Sequence, residues 1–219
     1  MNYPDIVSPE AWQAAHAAFL KEEKALGRAR DALNARRRRL PMTRVERDYT
    51  FDPERGRLSL PDLFEGRDQL IVYFNMLTAD HICPGCSYYC DHIGNLSHLH
   101  ARRTTFAAVS RATLPRIEEV KARLGWTFPW YSCAGSSFYE DFVSEDDYFG
   151  LAAFIRKGDE IFQTYFTTGR GVEQPCNTFS FLDITPWGRQ EEWEDSPAGT
   201  PQEPAHGWVR LHDEYSRDT

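Results

Sequence analysis

An α/β fold is what this sequence predicts: a central mixed sheet held between two outer layers, with a long N-terminal helix ahead of it and a loop-rich C-terminal extension behind. Three observations predict it. Between residues 70 and 133, strand-like and helical segments alternate as strand, helix, strand, helix, strand. That order requires right-handed crossovers and a parallel sheet buried on both faces. Residues 150–170, GLAAFIRKGDEIFQTYFTTGR, read as a β-hairpin that extends the sheet in antiparallel sense. Finally, Ser8-Pro9-Glu10 opens a helix well before the first strand, and from Pro186 onward breakers replace periodicity.

The chain has 219 residues, enough for one substantial core with extensions rather than two cores. It divides into a helical extension over 1–44, an α/β domain over 45–185 and an extension packed on the core over 186–219. Hydrophobic residues make up 41% and aromatic ones 14%, which supports a packed interior. A formal charge of -8 argues against broad binding to nucleic acid or anionic membrane. No run of eighteen apolar residues occurs, and MNYPDIVSPE lacks the basic-then-apolar order of a secretion signal. The expectation is a soluble, cytoplasmic protein. Five cysteines do not suit a secreted disulfide framework, so reduced thiols are the resting expectation.

Taken in order, Ser8 is an N-cap, Pro9 a first-turn proline and Glu10 a first-turn acid, and the helix they open reaches Arg39 before Pro41 stops it. Trp12, Phe19, Leu26 and Leu33 recur every seven residues, but His16, Glu23 and Arg30 beside them are polar, so a full coiled-coil seam is not supported. The helix leans on its own domain or on a partner subunit, which would make a homodimer. The cations Arg36, Arg37, Arg38 and Arg39 suit a solvated helix C-terminus. Residues 45–63 read as a small hairpin turning at 53–56. Residues 70–77 form a continuous apolar strand, 88–102 a helix, 104–112 a second strand, 116–124 a helix closed by Gly125, and 127–133 a third strand. The turn of the later hairpin falls at Lys157-Gly158-Asp159. Trp187, Trp193 and Trp208 pin the C-terminal extension to the body.

The chemistry concentrates in LIVYFNMLTADHICPGCSYYC, residues 70–90, where an apolar strand leads through a loop to Cys83-Pro84-Gly85-Cys86 at a helix start. Two intervening residues let the sulfurs meet across one helical turn. The first sulfur then lies beside unpaired backbone N–H groups and the positive helix end, which favours a thiolate. Cys83 is therefore expected as nucleophile and Cys86 as resolving thiol. His81, two residues earlier, can stabilise the thiolate or shuttle a proton. In an open sheet of this kind, ligands sit beyond the C-terminal strand ends, where Cys83 and Cys86 also fall.

Several stretches together resemble one bacterial family: Ser59-Leu60-Pro61-Asp62-Leu63-Phe64, the strand running into CPGCS, Phe128-Pro129-Trp130-Tyr131-Ser132, Thr164-Tyr165, Leu182-Asp183, Pro186-Trp187-Gly188-Arg189-Gln190 and His212-Asp213-Glu214-Tyr215. The chain is identified over nearly its whole length as similar to domain of unknown function 899, within the wider thioredoxin and peroxiredoxin-like fold. The resemblance implies a thioredoxin-like three-layer sandwich and a dithiol–disulfide activity, and it implies no particular substrate. Thioredoxin carries a proline just before the strand facing the dithiol. By element count that place falls near Tyr148-Phe149-Gly150, which has no proline.

Around the dithiol, Pro84 and Gly85 shape the turn that a substrate approaches. Pro129, Trp130 and Tyr131, with Phe138 and Tyr139, are expected to line a groove over it, and Arg170 or Arg189 to bind an anionic substrate. The substrate is a thiol or disulfide, protein or low-molecular-weight, or a peroxide, and the exchange needs no organic cofactor. A second reading uses the same residues otherwise. Cys83, Cys86, Cys90, His81 and His92 supply enough soft and imidazole ligands for zinc or copper, for storage or delivery. Against it, Cys86 and Cys90 share a helix face at four-residue spacing and would point into the core. A third reading is a non-catalytic thioredoxin-like interaction module. Cys133 and Cys176 stand alone and read as packing thiols. The segment His212-Asp213-Glu214 is expected to act as a capping lid.

Overall fold

Ser8 starts the first helix as its sequence requires, its hydroxyl accepting the Ala11 N–H at 3.2 Å with Pro9 in the first turn. The helix, α1, runs over Pro9–Arg37 and stops short of Arg39. The computed structural model describes residues 4–52, 56–196 and 198–215. After α1 come β1 (Thr43–Arg44), β2 (Thr50–Phe51), β3 (Leu58–Ser59), a 3-10 turn at Leu60–Phe64, β4 (Gln69–Phe74), α2 (Pro84–Asp91) and α3 (Ser97–His100). There follow β5 (Thr104–Ser110), α4 (Leu114–Leu124), β6 (Trp130–Ser132), α5 (Phe138–Phe142), β7 (Gly150–Lys157), β8 (Glu160–Thr167), a 3-10 turn at Gly169–Val172 and α6 (Asn177–Leu182).

Six strands form one sheet in the order β1-β8-β7-β4-β5-β6. β4, β5 and β6 are parallel, β7 runs antiparallel to β4, and β8 antiparallel to β7. This is the mixed sheet that alternating strands and helices followed by a hairpin demand. Gly158, at φ 61°, turns the hairpin where the sequence places it. β2 and β3 pair separately. Their turn was expected at 53–56, and residues 53–55 lie outside the described residues.

Period-two alternation divides the strands between two cores, making three layers. Leu70, Val72, Phe74, Ala107, Val109 and Phe154 face a core closed by β2, β3, the Leu60–Phe64 turn and α5. Tyr73, Phe106 and Ala108 face the other, closed by α2, α4, α6 and the C-terminal segment. In the first core Phe138 is fully buried, its ring 4.9 Å from those of Tyr49 and Phe51 and 5.0 Å from Phe142. Burying such a ring stabilises the fold by about 1.5–3 kcal/mol.

One predicted helix is divided. Residues 88–102 hold the end of α2 and the separate α3, because Gly94-Asn95 interrupts them and the Asn95 side chain accepts the Ser97 N–H at 2.8 Å. The third parallel strand is also shorter than 127–133.

The C-terminal segment is irregular and is knotted around Glu191, which is 1% exposed. Its carboxylate accepts the His206 N–H at 2.8 Å and the indole N–H groups of Trp193 and Trp208 at 2.6 and 3.0 Å. The His212-Asp213-Glu214 stretch binds elsewhere than over the dithiol. His212 meets Asp91 at 2.8 Å, and Asp213 and Glu214 hold Arg123 of α4. It is a latch on the helices rather than a lid on the sulfurs.

Candidate active site

The central strand β4 delivers the chain to the dithiol. Beyond Phe74, the Asn75 carbonyl oxygen of the side chain accepts the Leu77 N–H, and a tight turn follows in which the Thr78 hydroxyl accepts the His81 N–H. Cys83 is then the N-cap of α2, extended at φ -73° and ψ 120°, and Pro84 occupies the first turn. The Cys83 sulfur accepts the Cys86 N–H at 3.4 Å, so it sits where the helix leaves donors unpaired.

The two sulfurs differ sharply. Cys83 is half-buried and its thiol is pushed down to about 6, first by a hydrogen bond from the Cys86 thiol, then by the Cys86 and Gly85 amides and, last, the charge of His81; burial works against these. At pH 7 roughly nine in ten Cys83 side chains are thiolate at such a value. Cys86 is 3% exposed and is pushed well up by the hydrogen bond it gives Cys83 and by burial. The Tyr73 hydroxyl and the Met76 N–H donate to its sulfur and oppose that rise. Tyr73 is itself buried and stacked 3.9 Å from the Tyr89 ring.

Beside the dithiol lies a cavity of about 420 Å³. Cys83, Gly85 and Cys86 form one wall, and Phe149, Val172, Phe179 and Val209 supply apolar surface. Arg170, Glu173 and His206 are its charged or titratable members. The Arg170 guanidinium lies 3.9 Å over the Trp193 ring and pairs with Glu173 at 3.2 Å. Glu173 also meets Arg189 at 2.8 Å and His206 at 3.3 Å. Gly85 is exposed, and a Cβ there would stand 3.9 Å from the Cys83 sulfur, so glycine leaves the approach to that atom open.

Of the residues singled out in the sequence, Cys83, Gly85, Cys86 and Arg170 border this cavity, while Pro84 is half-buried in the turn between the cysteines. His81 is exposed outside the cavity and acts on Cys83 through its charge. The aromatic groove is a misreading. β6 pairs with β5, one strand removed from β4, so Pro129 and Trp130 lie by α4. Trp130 is buried 5.8 Å from the Trp126 ring, its indole N–H donating to Ser110. Tyr131, Phe138 and Tyr139 belong to the opposite core, although the Tyr139 hydroxyl, donating to the Tyr148 carbonyl at 2.7 Å, stays near enough to Cys86 and Cys83 to feel their charge. Arg189 is held by Asp183 and Glu173 rather than offered to a ligand.

The five residues of the metal reading are not gathered. The Cys90 sulfur accepts from Asn75 in the core, and His92 turns away, Nδ1 donating to the Tyr88 carbonyl at 2.6 Å and Nε2 accepting from Thr178. Among the described residues no group of three or more His, Cys, Asp or Glu side chains is arranged to hold a metal ion. Sequence reasoning missed Tyr73, Phe149, Glu173 and His206. Only Tyr73 had a signal, a hydroxyl in an otherwise apolar strand on the face the following helix covers. Phe149 directly precedes β7, whose first residue, Gly150, pairs with Phe74 at the end of β4. Cys176, read as a packing thiol, is buried in the cavity wall.

Fold and site together define a thioredoxin-like α/β protein with a dithiol at the start of the helix after its central strand. The chain belongs to the family described as "Bacterial protein of unknown function (DUF899)", which matches residues 1–215. Among curated proteins nothing matches it. Two solved structures are similar to part of it. One is the bacterioferritin comigratory protein of Xanthomonas campestris, titled for its alkyl peroxide reduction activity, at 13% identity over 65% of this chain and 89% of that one, with a TM-score of 0.39. The other is a cysteine-to-serine mutant of PrxQ from Xylella fastidiosa, at 14% identity over 62% and 89%, with a TM-score of 0.41.

Proposed function

We propose that this protein is a thiol–disulfide oxidoreductase in which Cys83 is the nucleophile and Cys86 the resolving thiol. The observation that carries the reading is the placement of the two sulfurs: Cys83 is the half-exposed N-cap of α2, its sulfur accepting the Cys86 N–H at 3.4 Å beside the cavity, and Cys86 is buried one turn behind it. The Cys83 thiolate attacks a substrate disulfide, forming a mixed disulfide and releasing one substrate thiolate. Cys86 gives up its proton and attacks the Cys83 sulfur, forming the Cys83–Cys86 disulfide and releasing the second thiolate. The substrate gains two electrons and the dithiol loses two, to be restored by an external dithiol. A hydroperoxide would be reduced by the same pair. Its distal oxygen passes to Cys83 as sulfenic acid, the alcohol leaves, and Cys86 displaces water.

The cavity's size suits a low-molecular-weight substrate, for which Arg170 would supply a cation. No helix among the described residues is long and apolar enough to cross a membrane. Five cysteines, an odd and modest number, do not suit a disulfide framework, which supports a cytoplasmic setting. The test is turnover of a low-molecular-weight disulfide with dithiothreitol as reductant. The Cys83→Ser protein should be inactive, and Cys86→Ser should accumulate a mixed disulfide at Cys83. Unchanged turnover in Cys83→Ser would refute the reading.

A further inference from the structure

α1 spans 29 residues, and none of them is buried. At 1.5 Å per residue it is about 43 Å long. Its last turn touches the body, where the Arg37 guanidinium lies 4.8 Å over the Tyr165 ring. Helices in proteins draw most of their stability from packing an apolar face, and this one leaves its face uncovered. Trp12, Phe19, Leu26 and Leu33 are 57%, 58%, 72% and 50% exposed. Their seven-residue spacing keeps them in one line along the helix.

The polar neighbours His16, Glu23 and Arg30 lie on one side of that line, and on the other Glu22 stands between Ala15 and Ala29. On the other side an alanine precedes each large residue, at Ala11, Ala18, Ala25 and Ala32. Large residues flanked by small ones make a stripe that a second helix can approach closely, with the polar side as its charged edge. Charge is divided along the helix as well. Glu10 is the only formally charged residue over 9–20, Lys21, Glu22, Glu23 and Lys24 balance one another at the middle, and beyond them Arg28, Arg30, Arg36 and Arg37 outnumber Asp31.

We propose that α1 is the interface of a homodimer, in which it pairs antiparallel with α1 of a second copy about a two-fold axis. An antiparallel pair sets the Arg36 and Arg37 end of each helix beside Glu10 of the other, and the stripe then serves both copies as the same self-complementary surface. A parallel pair would crowd the two sets of arginines together. An anionic membrane would suit the second half but repel the first, which carries Trp12 and Phe19.

Sedimentation of the full chain at micromolar concentration tests this. The expected mass is twice 25.3 kDa. The Phe19→Glu, Leu26→Glu double variant should sediment as a monomer, with Cys83 thiol reactivity unchanged as the control for folding. Raising salt from roughly 0.05 to 0.5 M should weaken the wild-type dimer several-fold, because its end-to-end attractions are exposed and screened. Glu10→Lys should weaken it as well. A monomeric wild type overturns the proposal, as does a dimeric Phe19→Glu, Leu26→Glu variant. Tightening of the dimer with salt overturns the antiparallel arrangement, and a monomer that binds anionic phospholipid vesicles through α1 makes the stripe a membrane face instead.

Discussion

The two faces of the sheet are built from the same strands and do opposite things. On one, Phe74, Phe138, Phe142 and Phe154 close around one another beneath β2, β3 and α5. On the other, Tyr73 places a hydroxyl on a cysteine sulfur, and the packing opens into a cavity bordered by three cysteines. Alternation along β4 makes the difference, since Phe74 and Tyr73 are neighbours in sequence and point to opposite sides. The closed face supplies stability, and the open face keeps a reactive sulfur within reach of solvent.

That comparison breaks most visibly in activity. Cys83→Ser should lower disulfide turnover on the order of a thousandfold or more while lowering the thermal midpoint far less than Phe138→Ala does. Phe138→Ala should do the reverse, costing about 3–5 kcal/mol in denaturant unfolding while Cys83 keeps its alkylation profile below the transition. If Phe138→Ala moved the thiol reactivity of the folded protein, the two faces would not be independent.

Acidity sharpens the contrast within the dithiol. Because Cys83 is held down to about 6, its alkylation by iodoacetamide should rise with pH to a plateau above about 7 and fall tenfold per unit below the midpoint. The lowered value also means that the folded state gains from this thiolate above the ordinary thiol range, and loses that gain as pH falls through about 6. A midpoint near 8.5 would remove the distinction between the sulfurs.

Tyr73→Phe removes a donor to Cys86, so resolution should slow several-fold and mixed disulfide should build up in rapid-quench samples, at a stability cost of about 1 kcal/mol. The smallest effect expected is from His81→Gln. As the last contributor to the Cys83 shift, it should raise the alkylation midpoint only slightly.

The sequence made the dithiol and its strand legible because both are local: an apolar run, a loop and an N-cap with proline are contiguous in the chain. The hairpin at Lys157-Gly158-Asp159 was local too. The cavity was not, since Phe149, Glu173 and His206 reach it from separate segments. Trp130 shows the matching error. Its strand was expected, but strand order along the chain does not give neighbours in the sheet, and β6 stands beyond β5. His92 has a metal ligand's spacing from Cys83, yet its nitrogens are engaged by Tyr88 and Thr178.

Glu191 fastens the stretch that completes the cavity wall with one buried carboxylate. Burial alone would raise its pKa, but the His206 amide, the two indoles and the His206 charge outweigh that and hold the pKa below the ordinary carboxylate value. Its support is therefore present above the usual carboxylate range and lost only as pH falls through that lowered value. Cys83 titrates near 6, well clear of this. Glu191 therefore stays charged throughout the range in which the nucleophile switches on, so the tie that holds this stretch does not itself titrate there.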